Sequence, residues 1–220
     1  MSKDGALRPD LAAIAAIIPY DARVLDVGCG DGALLEHLQA TKRVDGRGLE
    51  LSQADVNACV TRGLAVVQGD ADTDLSDYPS AVFDVVILSD TIQATRSPRT
   101  VLRHLIRIGR RTVVSLPNFG HWRVRLALLF SGRMPRTHAL QYAWHETPNI
   151  HLCTIADFVK LASEEGADIE KAIALQGDGR TISMRPSAWG PNLFAERAIF
   201  LLKRNDERDA KRGDRHAALV

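Results

Sequence analysis

Val24-Leu25-Asp26-Val27-Gly28-Cys29-Gly30-Asp31-Gly32, running straight into Ala33-Leu34-Leu35-Glu36-His37-Leu38, decides how this chain is read. Arg23 to Val27 is a short β-branched run, the glycine cluster is a turn, and Ala33 to Leu38 has helical periodicity. The unit is strand, tight loop, helix. On the N-terminal side, Pro9 and Asp10 open an apolar helix that runs to Ile18 and stops at Pro19. On the C-terminal side the alternation continues. Strands are predicted at Gly46 to Leu51, Ala65 to Gln68, Phe83 to Leu88 and Arg111 to Ser115, with helices at Gln53 to Arg62 and Pro98 to Ile108. Phe83-Asp84-Val85-Val86-Ile87-Leu88 has the apolar content of a strand covered on both faces. Thr154 caps a further helix to Glu165, with Asp157 three residues on, and Ile169 to Leu175 and Ala198 to Lys203 supply two late strands. Such alternation predicts an α/β three-layer sandwich around a mostly parallel sheet.

Composition agrees with an ordinary folded domain. The 220 residues are 45% hydrophobic and 25% charged, which disfavours disorder, collagen-like repeats and coiled coil for the chain as a whole. A formal charge of +1 supplies no field for gathering nucleic acid or anionic lipid. No apolar run approaches the ~20 residues of a membrane helix, and the start lacks a signal-peptide core, so a cytoplasmic protein is expected. Cys29, Cys59 and Cys153 are too widely spaced for a metal knuckle and are expected to be reduced thiols. We expect one domain over residues 1–203, with a cap at about 119–151 and a disordered tail at 204–220.

In open α/β sheets ligands bind at the carboxyl ends of the strands, which is where the glycine loop lies. Gly28 and Gly30 allow a sharp turn and close approach of the backbone to a ligand. With Ala33 the spacing satisfies G-x-G-x-x-A, so a nicotinamide dinucleotide has to be weighed. Charge discriminates. Asp26 and Asp31 beside a helix N-terminus repel a pyrophosphate but suit a ligand with ammonium and sulfonium centres, such as S-adenosylmethionine. Glu50, with Leu51 beside it, ends the second strand and can accept from both ribose hydroxyls, which either nucleoside cofactor offers. Asp70 and the Ala71 amide follow the third strand and suit an adenine edge, and Ser89 ends the fourth. Each also has a structural role open to it: Asp26 can tie the loop to the sheet, Asp31 can cap the helix, and Cys29 can simply pack.

As a set these residues resemble the class I S-adenosylmethionine-dependent methyltransferases over roughly residues 20–118. The resemblance implies a three-layer α/β/α Rossmann-like methyltransferase fold, with a mostly parallel seven-stranded sheet, an antiparallel last strand and a cap inserted after strand five. It also implies a cofactor, S-adenosylmethionine or S-adenosylhomocysteine, held by Asp26, Gly28, Cys29, Gly30, Asp31, Glu50, Leu51, Asp70, Ala71 and Ser89.

Residues 119–151 hold five of the 12 aromatic residues and four of the seven histidines: His121, His138, His145 and His151. Leaving the carboxyl end of strand five, this cap should cover the cofactor edge. Trp122, Leu126, Leu129 and Phe130 share one helical stripe, Val124 and Leu128 lie on another side, and Arg123 and Arg125 stand between. A helix apolar on two sides packs against two things: the domain, and either the rest of the cap or a second protein. Trp122, Arg123, Arg125, Phe130, Tyr142 and Trp144 are of the types that dominate interface hot spots. The histidines show no close metal-binding spacing. No N-P-P-Y-like acceptor motif follows strand four, where Ser89-Asp90-Thr91-Ile92-Gln93 stands, and no catalytic residue is assigned; His121 and His151 are more simply packing or hydrogen-bonding residues.

Ser115-Leu116-Pro117-Asn118-Phe119-Gly120-His121-Trp122-Arg123-Val124-Arg125, and the run from Tyr142 to Thr154, resemble the MetW family of methionine-biosynthesis proteins. That resemblance implies a methyltransferase-fold subunit that partners and activates the homoserine O-acyltransferase MetX. The alternative is a true methyltransferase acting on a small molecule, with the cap as its acceptor pocket.

Overall fold

In a computed structural model of the chain, residues 7–137, 139–140, 142–185 and 189–205 are described. The expected tail lies outside them from residue 206 on, as does His138 of the cap.

The chain begins with α1 (Pro9–Ile17), which has proline in its first turn, and continues through β1 (Arg23–Val27), α2 (Ala33–Lys42), β2 (Asp45–Glu50), α3 (Gln53–Thr61) and β3 (Val66–Gln68). Then come β4 (Phe83–Ser89), α4 (Pro98–Ile108), β5 (Gly109–Pro117), α5 (Trp122–Ser131) and α6 (Ile155–Glu164). The last elements are β6 (Ala167–Leu175), β7 (Thr181–Ser183), α7 (Trp189–Phe194) and β8 (Arg197–Arg204). The sheet has the order β3-β2-β1-β4-β5-β8-β6-β7. β1 to β5 are parallel and β8 runs antiparallel to both β5 and β6, as the last strand was expected to.

Two elements differ from expectation. The sheet has eight strands instead of seven, because β6 turns back through Gln176–Arg180 into the three-residue edge strand β7. The stretch between the late strands also forms α7, a six-residue helix with no buried residue. Neither has enough periodic apolar residues to be read from sequence.

The strand period of two divides the core into layers. Val24, Val85, Ile87, Val113 and Ile199 face Ile14 of α1 and Leu34 and Leu38 of α2. Their neighbours Leu25, Val86, Leu88, Val114 and Phe200 face Leu102 and Leu105 of α4 and Phe158 of α6. The predicted cap of α6 is a reciprocal box: Asp157 N–H donates to Thr154 Oγ1 at 3.2 Å and Thr154 N–H to Asp157 Oδ2 at 3.0 Å. Strand order reverses between β1 and β4, which opens a crevice at their carboxyl ends.

Candidate functional site

The loop leaving β1 is held open by three glycines in the left-handed region, with φ of 70° at Gly28, 55° at Gly30 and 78° at Gly32. A Cβ on Gly28 would lie 2.8 Å from Thr91 Oγ1, so the loop passes too close to the segment after β4 for any side chain. At Gly30 the opposite holds: no atom lies within 4 Å of where a Cβ would stand. The backbone there borders open space, a cradle that a side chain would fill.

Glu50, at the end of β2, secures this cradle. Gly30 N–H donates to its Oε2 at 2.8 Å and Ser52 N–H to its Oε1 at 2.9 Å. Asp26 is 2% exposed, and burial, reinforced by the Glu50 carboxylate, pushes its carboxyl up to about 7. Asp31 accepts from Ala33 N–H at 3.2 Å, but its other oxygen is paired with Arg62 at 3.0 Å. Asp70 accepts from Asp72 N–H at 2.9 Å and is paired with the exposed guanidinium of Arg96. Asp26 and Glu50 form no guanidinium pair among the described residues, so the uncompensated negative charge of the loop is that of Glu50, joined by Asp26 once its carboxyl ionises. Arg62 and Arg96, which sequence reasoning missed, stand 31 and 26 residues from their partners.

Leu51 is 64% exposed beside Glu50, an apolar platform at the crevice. Ala71 packs against the main core, and Ser89 Oγ lies 3.1 Å from Ser115 Oγ. Cys29 offers backbone only. Its sulfur is buried with Cys59, and burial first, then the Asp26 carboxylate, pushes the Cys29 thiol far up. The Cys59 thiol donates to Gly30 O at 3.2 Å, so α3 holds the underside of the loop.

Within the segment expected as a cap, His121 is buried and caps α5 by accepting Arg123 N–H at 3.3 Å through Nδ1. Burial above all lowers its pKa, which fits a neutral acceptor. Arg125 donates to Gly120 O at 2.6 Å, and Arg123 lies over the Trp122 ring and 3.7 Å from Glu196. The cap returns over the sheet edge, where Gln93 O accepts Ile150 N–H at 2.8 Å and His151 N–H at 2.9 Å.

Of α5 only Val124 is buried, while Leu126, Leu129 and Phe130 are exposed, the last at 81%. The described cap therefore leaves the expected second covering of this stripe unmade. Tyr142 and Trp144 are exposed as well, and the unforeseen α7 adds Trp189 and Phe194 to the exposed aromatics. Among the described residues no helix is long and apolar enough to cross a membrane.

The sheet order and the crevice define a protein of the methyltransferase fold, and solved structures agree. The chain superposes on an S-adenosylmethionine-dependent methyltransferase from Thermotoga maritima with a TM-score of 0.67 at 14% identity, covering 90% of this chain and 88% of that one. A TehB-like S-adenosylmethionine-dependent methyltransferase from Corynebacterium glutamicum gives 0.57 at 16% identity, covering 91% and 89%. The [4+2]-cyclase SpnF gives 0.62 at 15% identity, covering 93% and 86%, so the fold by itself leaves the chemistry open. The family model of the methionine biosynthesis protein MetW matches residues 8–202, and the chain belongs to that family. It is also 32% identical over 213 residues to the bifunctional methionine biosynthesis protein MetXA/MetW of Rhodopirellula baltica, covering 92% of this chain. The chain spans 34% of that relative's length.

Proposed function

We propose that the chain binds S-adenosylmethionine, or its demethylated product, at the glycine loop and serves as the partner and activator subunit of a MetX-type homoserine O-acyltransferase. The residues fit the cofactor. Gly30 leaves the cradle clear, Glu50 and the ionised form of Asp26 supply negative charge for the ammonium and sulfonium centres of the methionyl group, and the lone pairs of Glu50 not used by Gly30 and Ser52 suit ribose hydroxyls. Leu51, Ala71 and Asp70 suit the adenine, and Gly28, Cys29, Asp31 and Ser89 shape the rest of the pocket. When bound, the cofactor brings a transferable methyl group; this chain's residues bind and orient it.

The observation that carries the partner reading is the bare apolar stripe of α5, with Trp122, Phe130, Tyr142 and Trp144 exposed and Arg123 and Arg125 among them. Aromatic and arginine side chains of this kind anchor interfaces. The Rhodopirellula relative, a bifunctional MetXA/MetW protein, supports the choice of partner. The test is co-purification with the homoserine acyltransferase of the same cell, followed by an acylation assay with and without S-adenosylmethionine. Stable association and a changed acylation rate support the reading. Failure to associate, together with S-adenosylhomocysteine formed from a metabolite extract by the purified chain, replaces it with methyl transfer to a small molecule.

A further inference from the structure

α3 and the turn that follows it hold the underside of the glycine loop at several points. The Cys59 thiol donates to Gly30 O at 3.2 Å, and Cys59 Sγ and Leu64 Cδ1 stand 2.8 and 2.4 Å from where a Cβ on Gly32 would be. Arg62, the C-cap of α3, adds a charge to this support. Its amide bonds Cys59 O at 3.0 Å, and its guanidinium reaches Asp31 Oδ2 and Glu36 Oε2, each at 3.0 Å. Two carboxylates and a helix end thus fix where the positive charge stands. Arg8, whose charge also reaches Asp31, is committed to Asp10 through both carboxylate oxygens, at 3.1 and 2.5 Å.

Asp31 follows Gly30, at which the backbone borders open space. Without Arg62 its carboxylate would present a bare negative charge beside the cradle. S-adenosylmethionine and S-adenosylhomocysteine differ at one atom, a methylated sulfonium with a unit positive charge against a neutral thioether. The ratio of their affinities therefore reads the electrostatic potential at the sulfur, while every contact common to the two ligands cancels. A bare Asp31 raises the preference for the sulfonium, and a guanidinium 3.0 Å from it lowers that preference again.

We propose that Arg62 is a specificity-determining residue of the cofactor site: by cancelling the charge of Asp31 it weakens the preference for the sulfonium and lets the demethylated thioether compete for the loop. This rests on the cofactor reading given above and adds to it which form of the ligand the chain's own charges select. Arg96, on the carboxylate after β3, serves the adenine end in that reading and leaves the choice at the sulfur alone.

The test is calorimetric titration of the full chain with each of the two compounds, in the wild type and in Arg62→Met, Asp31→Asn, Arg62→Lys and the Arg62→Met/Asp31→Asn double variant. Arg62→Met uncovers the Asp31 charge and is expected to move the affinity ratio toward S-adenosylmethionine by about threefold or more, and Asp31→Asn to move it toward S-adenosylhomocysteine by a similar factor. The double variant should return close to the wild-type ratio, because the two charges act on each other. Arg62→Lys keeps the charge and should keep the ratio, even where both affinities fall. A merely structural arginine would lower both affinities together and leave the ratio in place; Asp31→Asn and Arg62→Lys carry the test if Arg62→Met fails to fold. A ratio unmoved in the single neutralising variants, a shift of both in the same direction, or a double variant that keeps the Arg62→Met ratio overturns the proposal and leaves the cofactor reading standing. Binding of neither compound by the wild type overturns both.

Discussion

Gly30 and Glu50, twenty residues apart, are joined by a 2.8 Å hydrogen bond from the Gly30 amide to Glu50 Oε2, which ties the turn after β1 to the end of β2. A loop of left-handed glycines has little conformational preference of its own, and this bond fixes it beside a carboxylate whose oxygens each accept one backbone amide, from Gly30 and Ser52, and keep further lone pairs. The same side chain thus shapes the cradle and offers it negative charge.

Glu50→Gln keeps one oxygen acceptor and loses the charge. Hydrogen bonds to charged groups are worth about 1.5–3 kcal/mol, so S-adenosylmethionine affinity is expected to fall by tenfold or more. Association with the acyltransferase should be spared. Calorimetry for the first and size-exclusion chromatography for the second check both halves.

Gly30→Ala separates strain from occlusion. The new methyl meets no protein atom within 4 Å, so its folding cost is the left-handed backbone alone, about 1–2 kcal/mol. In the cradle, however, it takes the ligand's space. A modest drop in melting temperature with loss of cofactor binding is expected; retained binding would show that the ligand lies elsewhere.

Asp26 should make stability and affinity depend on pH in opposite senses. Its folded carboxyl titrates at about 7, against 3.8 for the ordinary group, so between these values the folded chain binds more protons than the unfolded one. Stability therefore falls as pH rises through this window and stays at its reduced level above it. Asp26→Asn is expected to stabilise the ligand-free chain by on the order of 2–4 kcal/mol at pH 8 and by little at pH 4. A cationic ligand favours the ionised carboxylate, so wild-type affinity for S-adenosylmethionine should rise from pH 6 to pH 8 with release of a proton, and the asparagine variant should flatten that rise. Thermal melts and titrations in two buffers of different ionisation enthalpy measure both.

Trp144 is 73% and Phe130 81% exposed, so their replacement should cost the fold little. If they anchor the acyltransferase, Trp144→Ala and Phe130→Ala are each expected to weaken the complex by about 2 kcal/mol or more with melting temperatures within a degree or two of wild type. Trp122→Ala tests the same surface at the first residue of α5. Wild-type affinity in all three would remove α5 from the interface.

Local chemistry made most of the sheet legible. The β1 turn announces itself because glycines stand where the left-handed backbone needs them, and α6 because Thr154 and Asp157 form a capping box within four residues. What could not be read depends on distant partners. β7 is three exposed residues that exist as a strand only because β6 pairs with them, and α7 buries nothing. The acidity of the site was read too simply for the same reason. Arg62 and Arg96 come from elsewhere in the chain to neutralise Asp31 and Asp70, which leaves Asp26 and Glu50 as the pair that can prefer a cation. The pairing of Asp90 with Arg197 spans 107 residues, beyond any local pattern.

The most direct test of the account is a parallel calorimetric titration of the purified chain with S-adenosylmethionine and with NAD. One saturable site for the sulfonium compound, competed by S-adenosylhomocysteine and absent for the dinucleotide, is the expected result. Occupancy by NAD, or by neither, would contradict it.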